Sequence, residues 1–158
     1  HLFICLMTED LCFHISHRML HMKAIYKHIH KWHHEFKHPI SISGDYVHPI
    51  EFITSGMIPS FSGLLLLGNK MHIFTIMVWG VFRFTEAHDG HSGYEFPWLI
   101  FRLMPFNCDA TYHNFHHTNN VGNYSSFMTI WDTIFSSNAE FYKIYGTGTR
   151  NSKLKKNE

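Results

Sequence analysis

Eight histidines in this sequence fall at spacings suited to metal ligation. His17 and His21 form HxxxH; His30, His33 and His34 form HxxHH; His113, His116 and His117 form a second HxxHH. On a helix, positions i, i+3 and i+4 share a face, so each group is expected to present imidazoles from adjacent turns toward one point. Eight nitrogen ligands exceed the four of a structural zinc or the three of a catalytic one, so two metals are implied. Imidazole suits zinc, iron, copper or nickel, and ligand type alone leaves the metal open. A histidine-rich tract that scavenges metal from the surface is the alternative. Such tracts form one run, whereas here a long apolar stretch separates the two HxxHH groups, and folding must bring them together.

Other residues carry separate expectations. His91 and Glu95 stand at i, i+4 and would complete the coordination if that segment is helical, although Gly93 lies between them. His48, just before Pro49, is a further candidate ligand. Asp10 shares a helical stripe with His14, His17 and His21; it is expected to lie behind the ligands, accepting the free N–H of an imidazole and fixing its tautomer. His28 and His38 interleave with Lys27, Lys31 and Lys37 and read as solvated.

The elements that must position these groups are helical. From Thr8 to His38 the chain reads as a compact helical block, and the first proline is Pro39. Phe52 to Asn69 runs without a charge, and Met71 to Phe82 is again uncharged after Lys70. A bilayer needs about 20 apolar residues for one span. The two stretches therefore fit a bent hairpin entering the membrane over about residues 52–82, with Asn69 and Lys70 at its turn and Gly56, Pro59 and Gly63 inviting a kink. A buried soluble hairpin is the alternative. Trp79 and Trp98 would suit an interfacial belt. Phe61, Leu65, Phe74 and Trp79 would line a lateral opening if a ligand enters from the bilayer; core packing or lipid contact is the alternative role for each. Residues 136–158 read as a polar, solvated tail.

Composition narrows the class. A chain of 158 residues fits one domain. Thirteen Lys and Arg against twelve Asp and Glu leave a net charge of +1, which gives no footprint for a polyanion, so no nucleic-acid partner is expected. The charged fraction of 16% lies below the roughly 25% of soluble domains. The mean hydropathy of -0.13 is lowered by 16 histidines, so local windows are more informative. Cys5, Cys12 and Cys108 form no CxxC pair and read as free thiols.

Beyond these readings, the chain resembles the membrane fatty acid hydroxylase superfamily and, within it, the methylsterol monooxygenase branch. The resemblance rests on Glu9-Asp10, His17-Arg18-Met19-Leu20-His21, His30-Lys31-Trp32-His33-His34-Glu35-Phe36 and Tyr46-Val47-His48-Pro49 with Glu51. It continues through His91-Ser92-Gly93-Tyr94, His113-Asn114-Phe115-His116-His117, Gly122-Asn123-Tyr124 and Trp131-Asp132. It departs where Asn114 replaces the usual aspartate and Ser136-Ser137 the usual Gly-Thr.

The resemblance implies an all-α integral membrane protein with a cytosolic, histidine-rich helical cap. Residues 1–135 would form the hydroxylase domain of a multi-pass endoplasmic reticulum protein whose upstream helices precede His1. It implies two iron ions and dioxygen as co-substrate, oxidising a 4-methyl group of a sterol, with electrons from NAD(P)H through a reductase and a b-type cytochrome. Lys155-Lys156-Asn157-Glu158 resembles a dilysine retrieval tail. Rival readings are a sterol desaturase, a sterol side-chain oxidase or a fatty-acyl hydroxylase of the same superfamily, a non-catalytic metal-binding membrane protein, and an inactive truncated homologue.

Overall fold

The computed structural model describes residues 1–146, so the dilysine motif lies outside the described residues. Among the described residues every named element is helical, with one isolated bridge pairing Asn107 with Met128. The long elements are α1 (Leu2–Leu20), α3 (Pro49–Lys70), α4 (Ile73–Gly90) and α5 (Ala110–Asn119). The short helices are α2 (Lys23–Tyr26), α6 (Ile130–Ile134) and α7 (Ala139–Tyr145).

The expected helical block over 8–38 is only partly helical. α1 ends at Leu20, Met22 is extended, and beyond α2 the chain proceeds through turns to a single 3-10 turn at His33–Glu35. The second histidine group therefore sits on a tight turn and not on a regular helix.

α3 starts with Pro49 in its first turn, where a missing N–H costs nothing, and the His48 ring accepts the Ile50 N–H at 3.2 Å. The helix then widens into a π-helical segment, Phe52–Met57, before resuming α geometry at Ile58–Leu67. Pro59 has no N–H for the Ser55 carbonyl four residues back, and the wide turn lies just upstream of that break. Gly68 at φ 56 ends the α-helical part, and the chain reverses through Gly68–Lys70. His72 caps α4 by accepting the Phe74 N–H.

The hairpin packs on α1 through a cluster of Cys5, Leu6, Met71, Trp79, Phe101, Phe127 and Met128. Trp79 donates its indole N–H to the Ser60 carbonyl at 2.9 Å, clamping α4 onto α3. Trp79 is thus 3% exposed and is a core residue, not a belt residue; Trp98, at 77%, is exposed. Pro49–Lys70 is the one helix among the described residues long and apolar enough to cross a membrane. Only 22% of its apolar window is buried, unlike a soluble core helix. Leu65, Leu66, Ile73, Phe74, Met77 and Val81 form part of a large exposed apolar surface on the hairpin.

Residues 139–145, read from sequence as the start of a solvated tail, instead form α7. Phe141 is fully buried against Tyr112 and Phe115 of α5. The aromatic spacing of Phe141, Tyr142 and Tyr145 outweighs the flanking polar residues.

Two positions test this packing. A Cβ on Gly63 would lie 2.5 Å from the Cys5 Cα, a backbone atom that can yield only by separating α1 from α3. Gly63→Ala is expected to destabilise the fold by about 1–3 kcal/mol, read by thermal unfolding in detergent. Ser136 holds φ 53, where a side chain is strained. Ser136→Gly should raise stability by about 1 kcal/mol in the same assay.

Candidate metal centre

The nine histidines expected as ligands gather at the junction of α1, the 30–36 turn, the end of α4 and α5. They form two groups, each with ring nitrogens within 4.8 Å of one another: His17, His21, His30, His34 and His116 in one, His33, His91, His113 and His117 in the other. The sequence motifs do not converge as units. In each HxxHH the i and i+4 histidines share a group while the i+3 histidine joins the other, so His33 and His34, adjacent in sequence, serve different groups. The groups lie side by side, with the His34 and His117 rings stacked at 4.7 Å.

Within the first group, Nε2–Nε2 separations are 3.2 Å for His17–His30, 3.0 Å for His21–His30, 3.1 Å for His30–His34, 3.1 Å for His34–His116 and 3.1 Å for His21–His116. In the second they are 3.1 Å for His33–His91, 3.0 Å for His91–His113 and 3.2 Å for His113–His117. Nitrogens bound about 2.1 Å from one ion stand about 3.0 Å apart at right angles and about 3.4 Å apart in a tetrahedron. The observed spacing fits neighbouring ligands around an ion of coordination number above four.

The opposite ring nitrogens decide the tautomers. His17 Nδ1 donates to the Tyr124 carbonyl at 3.0 Å, His91 Nδ1 to that of Ala87 at 2.7 Å, His116 Nδ1 to that of Gly122 at 2.5 Å and His117 Nδ1 to that of Phe36 at 3.1 Å. A carbonyl can only accept, so each Nδ1 carries the proton and each Nε2 faces its neighbours with a bare lone pair. His30 Nδ1 donates to Glu51 Oε1 at 2.6 Å, the one direct carboxylate contact of either group among the described residues. His17 and His30 therefore aim bare lone pairs at each other 3.2 Å apart with no proton between them, an arrangement that suits a bound cation.

Burial holds these rings neutral. Removal from water pulls His17 and His91 down to about 4, His117 to about 3 and His21 to about 2, with neighbouring imidazoles adding to it. His30, His33, His34, His113 and His116 are pushed the same way, first by burial and then by their neighbours.

Three expected site residues lie elsewhere. His48 is a cap, packed on Trp32 with ring centroids 4.8 Å apart. Glu95 accepts from the backbone N–H and hydroxyl of Thr111 and pairs with Arg102 at 3.3 Å. Helix α4 stops at Gly90, and Gly93 at φ 74 turns the chain, so His91 and Glu95 never share a helical face. Asp10 does not back an imidazole; its Oδ1 accepts the backbone N–H groups of Ser126, Phe127 and Met128. The carboxylate in that role is Glu51, one turn into α3, signalled in sequence only by its place after His48-Pro49. His14 lies near the first group without joining it, 3.4 Å from Asp132. His28 and His38 are exposed.

Two further features have roles that the motifs did not show. The Gly122-Asn123-Tyr124 stretch supplies carbonyls to His116 and His17, and Asp132 fastens it by accepting from Tyr124 and Ser125 N–H. Burial alone would raise the Asp132 carboxyl; bonds from His14, Ser137, Ser125 and Tyr124 instead bring it down to about 2. The second feature is a cavity of about 400 Å³ between α3 and α4. Its floor includes His17, His30, His33, His91 and His113, and its walls include Phe52, Met57, Phe61, Leu64, Ile76 and Trp79. Of the four residues expected along an opening, Phe61 and Trp79 line this cavity; Leu65 and Phe74 are exposed and are not among its lining residues.

The depressed imidazoles set a pH dependence. The unfolded chain takes up protons near 6.5, whereas folded His17 and His91 do so near 4. Between these values the unfolded state binds more protons, so stability rises with pH there. Metal-free protein should therefore lose stability steadily from pH 6.5 to 4 in denaturant titrations. A flat profile over that window would contradict burial of neutral rings.

The chain is 41% identical over 139 residues to methylsterol monooxygenase 1 of Gallus gallus, covering 88% of this chain and 46% of that protein. It is 41% identical over 143 residues to methylsterol monooxygenase 1 of Danio rerio, covering 90% and 48%. A very-long-chain aldehyde decarbonylase of Oryza sativa is 37% identical over 138 residues, covering 85% and 50%. The chain spans about half the length of the curated relatives it matches. No solved structure matches it. The family model described as fatty acid hydroxylase matches residues 2–137, a stretch that contains all nine clustered histidines, and the chain belongs to that family.

Proposed function

We propose that this chain is the catalytic domain of a membrane-bound di-iron monooxygenase that oxidises a 4-methyl group of a sterol. The observation that carries the reading is the cavity whose apolar walls come from the hairpin and whose floor is built from histidines of both groups. Its volume suits one small apolar ligand. The relatives named methylsterol monooxygenase favour a sterol over other lipids.

An unactivated C–H bond has neither an acidic proton nor an electrophilic centre, so side-chain acid–base chemistry cannot attack it. Two iron ions, one held by His17, His21, His30, His34 and His116 and the other by His33, His91, His113 and His117, would supply the redox chemistry with dioxygen. The protein's own part is positional. Phe61, Leu64, Ile76 and Trp79 would grip the ring system and exclude water, leaving the methyl carbon toward the histidine floor. Glu51 and the backbone carbonyls would keep Nδ1 of His17, His30, His91, His116 and His117 protonated and their Nε2 free to ligate.

The exposed apolar face of the hairpin supports burial in a bilayer, from which a poorly soluble sterol would enter laterally. To the same proposal belong a multi-pass endoplasmic reticulum location with the histidines toward the cytosol, residues 1–135 as the hydroxylase domain, and electron supply from NAD(P)H through a reductase and a b-type cytochrome. The decarbonylase relative gives the second reading, oxidation of a long-chain aldehyde or acyl substrate.

Product analysis with a 4-methylsterol, a fatty-acyl substrate and a long-chain aldehyde tests the assignment. Oxidation of the methylsterol alone is expected. His33→Ala and His117→Ala should each cut turnover by at least about a hundredfold and lower bound iron below two per chain, with membrane insertion unchanged. Full activity in either variant, or freely exchangeable metal well above two per chain, would overturn it.

A further inference from the structure

α3 carries four hydroxyl side chains, and three of them close onto the backbone. Thr54 donates to the Ile50 carbonyl at 2.9 Å, Ser60 to Gly56 at 2.7 Å and Ser62 to Pro59 at 2.7 Å. Such back-bonding is the usual resting place of a helical hydroxyl. Ser55 is the exception. Its residue is only 4% exposed, and its Oγ is buried with no hydrogen-bond partner among the described residues.

Ser55 lies within the π-helical segment Phe52–Met57 and lines the cavity. Glu51, one turn earlier, also lines it, holds His30 with one carboxylate oxygen and has its second, Oε2, buried without a partner. Two unpartnered oxygens thus belong to residues four apart on the α3 wall of the cavity, where Ser60 is spent on its own backbone and the remaining α3 lining is Phe52, Gly56, Met57, Phe61 and Leu64. A buried polar atom with no partner costs about 1–3 kcal/mol, and a helix can avoid that cost at Ser55 by the back-bond its neighbours make.

We propose that Ser55 is a specificity-determining residue whose hydroxyl hydrogen-bonds the substrate's own hydroxyl. The inference rests on the sterol reading above: a sterol carries a hydroxyl on the ring carbon next to the one bearing the oxidised methyl. Anchoring that oxygen on Ser55 fixes which methyl group points to the histidine floor. A fatty-acyl chain has no such group.

The test compares a 4-methylsterol with its 3-deoxy analogue, in binding and in kcat/KM, using the membrane-embedded, iron-loaded protein. The native chain should prefer the hydroxylated ligand by about tenfold or more. Ser55→Ala should bring that preference close to unity, mainly through KM and ligand affinity. Ser55→Thr, which keeps the hydroxyl, should restore most of it. Iron content should stay at two per chain, and the thermal midpoint without ligand should not fall, because the deleted hydroxyl has no partner in the protein. A Ser55→Ala variant that keeps the native preference overturns the inference while the sterol reading stands. So does equal loss on both ligands together with lost iron or a lowered midpoint, which would mark a structural role. Native protein that oxidises a fatty-acyl substrate or an aldehyde and neither sterol overturns both.

Discussion

Lone pairs of neutral imidazoles repel one another, and here nine rings are held so that theirs meet. Nε2 atoms stand 3.0–3.2 Å apart in two groups, with several opposite nitrogens already committed as donors to carbonyls or to Glu51. His17 and His30 both have Nδ1 committed, so no neutral tautomer places a proton between their Nε2 atoms 3.2 Å apart, and burial and neighbouring imidazoles disfavour imidazolium. A cation between the rings relieves that pair. Much of the surrounding structure serves that constraint: the turn at 30–36, the Gly122-Asn123-Tyr124 stretch and the abrupt end of α4 each deliver a ring or the carbonyl that orients one.

The histidines themselves were legible because ligation demands fixed spacings, and HxxxH and HxxHH are short enough to survive in the sequence. Their partition was not. Periodicity tells which residues share a face, but when two ions lie side by side the i+3 ring can serve one while the i and i+4 rings serve the other. The failures of Glu95 and His48 have a common cause. Glu95 was placed by its distance from His91 and His48 by its position before Pro49, and each sits beside a local breaker, Gly93 or Pro49, that sets the backbone there. Glu51 and the carbonyls behind the rings were hidden for a different reason: an orienting acceptor is chosen by three-dimensional proximity, and any carbonyl will do. α7 was missed because its few aromatic residues lie within a polar composition, although Phe141 is fully buried.

The hairpin was readable as an apolar element with a turn at Asn69 and Lys70, because hydropathy is a local property. Its internal irregularity carries more information than its length. Pro59 removes one helical hydrogen bond, and the π-helical segment before it changes which residues face inward relative to a straight helix. The wall this helix gives the cavity bears Glu51 and Ser55 beside Phe52, Gly56, Met57, Ser60, Phe61 and Leu64.

Apolar packing holds the hairpin on α1, yet such contacts are non-directional and would tolerate small slides that a ligand set cannot, since ligating atoms need placement to within about 0.5 Å. Directional contacts occur at that level of the fold. Arg83 of α4 pairs with Glu9 of α1 at 2.6 Å and with Glu86 at 2.8 Å, and Glu86 accepts from Ser126 at 3.1 Å. Asp10 binds the backbone of 126–128, and Arg102 joins Asp89 at the end of α4. Buried ion pairs of this kind add little net stability, because desolvation offsets their attraction, but losing one partner leaves a stranded charge costing about 3–5 kcal/mol. That steep penalty for misalignment is what apolar contacts lack. The charged layer between the hairpin and the histidines therefore fixes α1 against α4, and with it the approach of His17 and His21 to rings carried by the other elements.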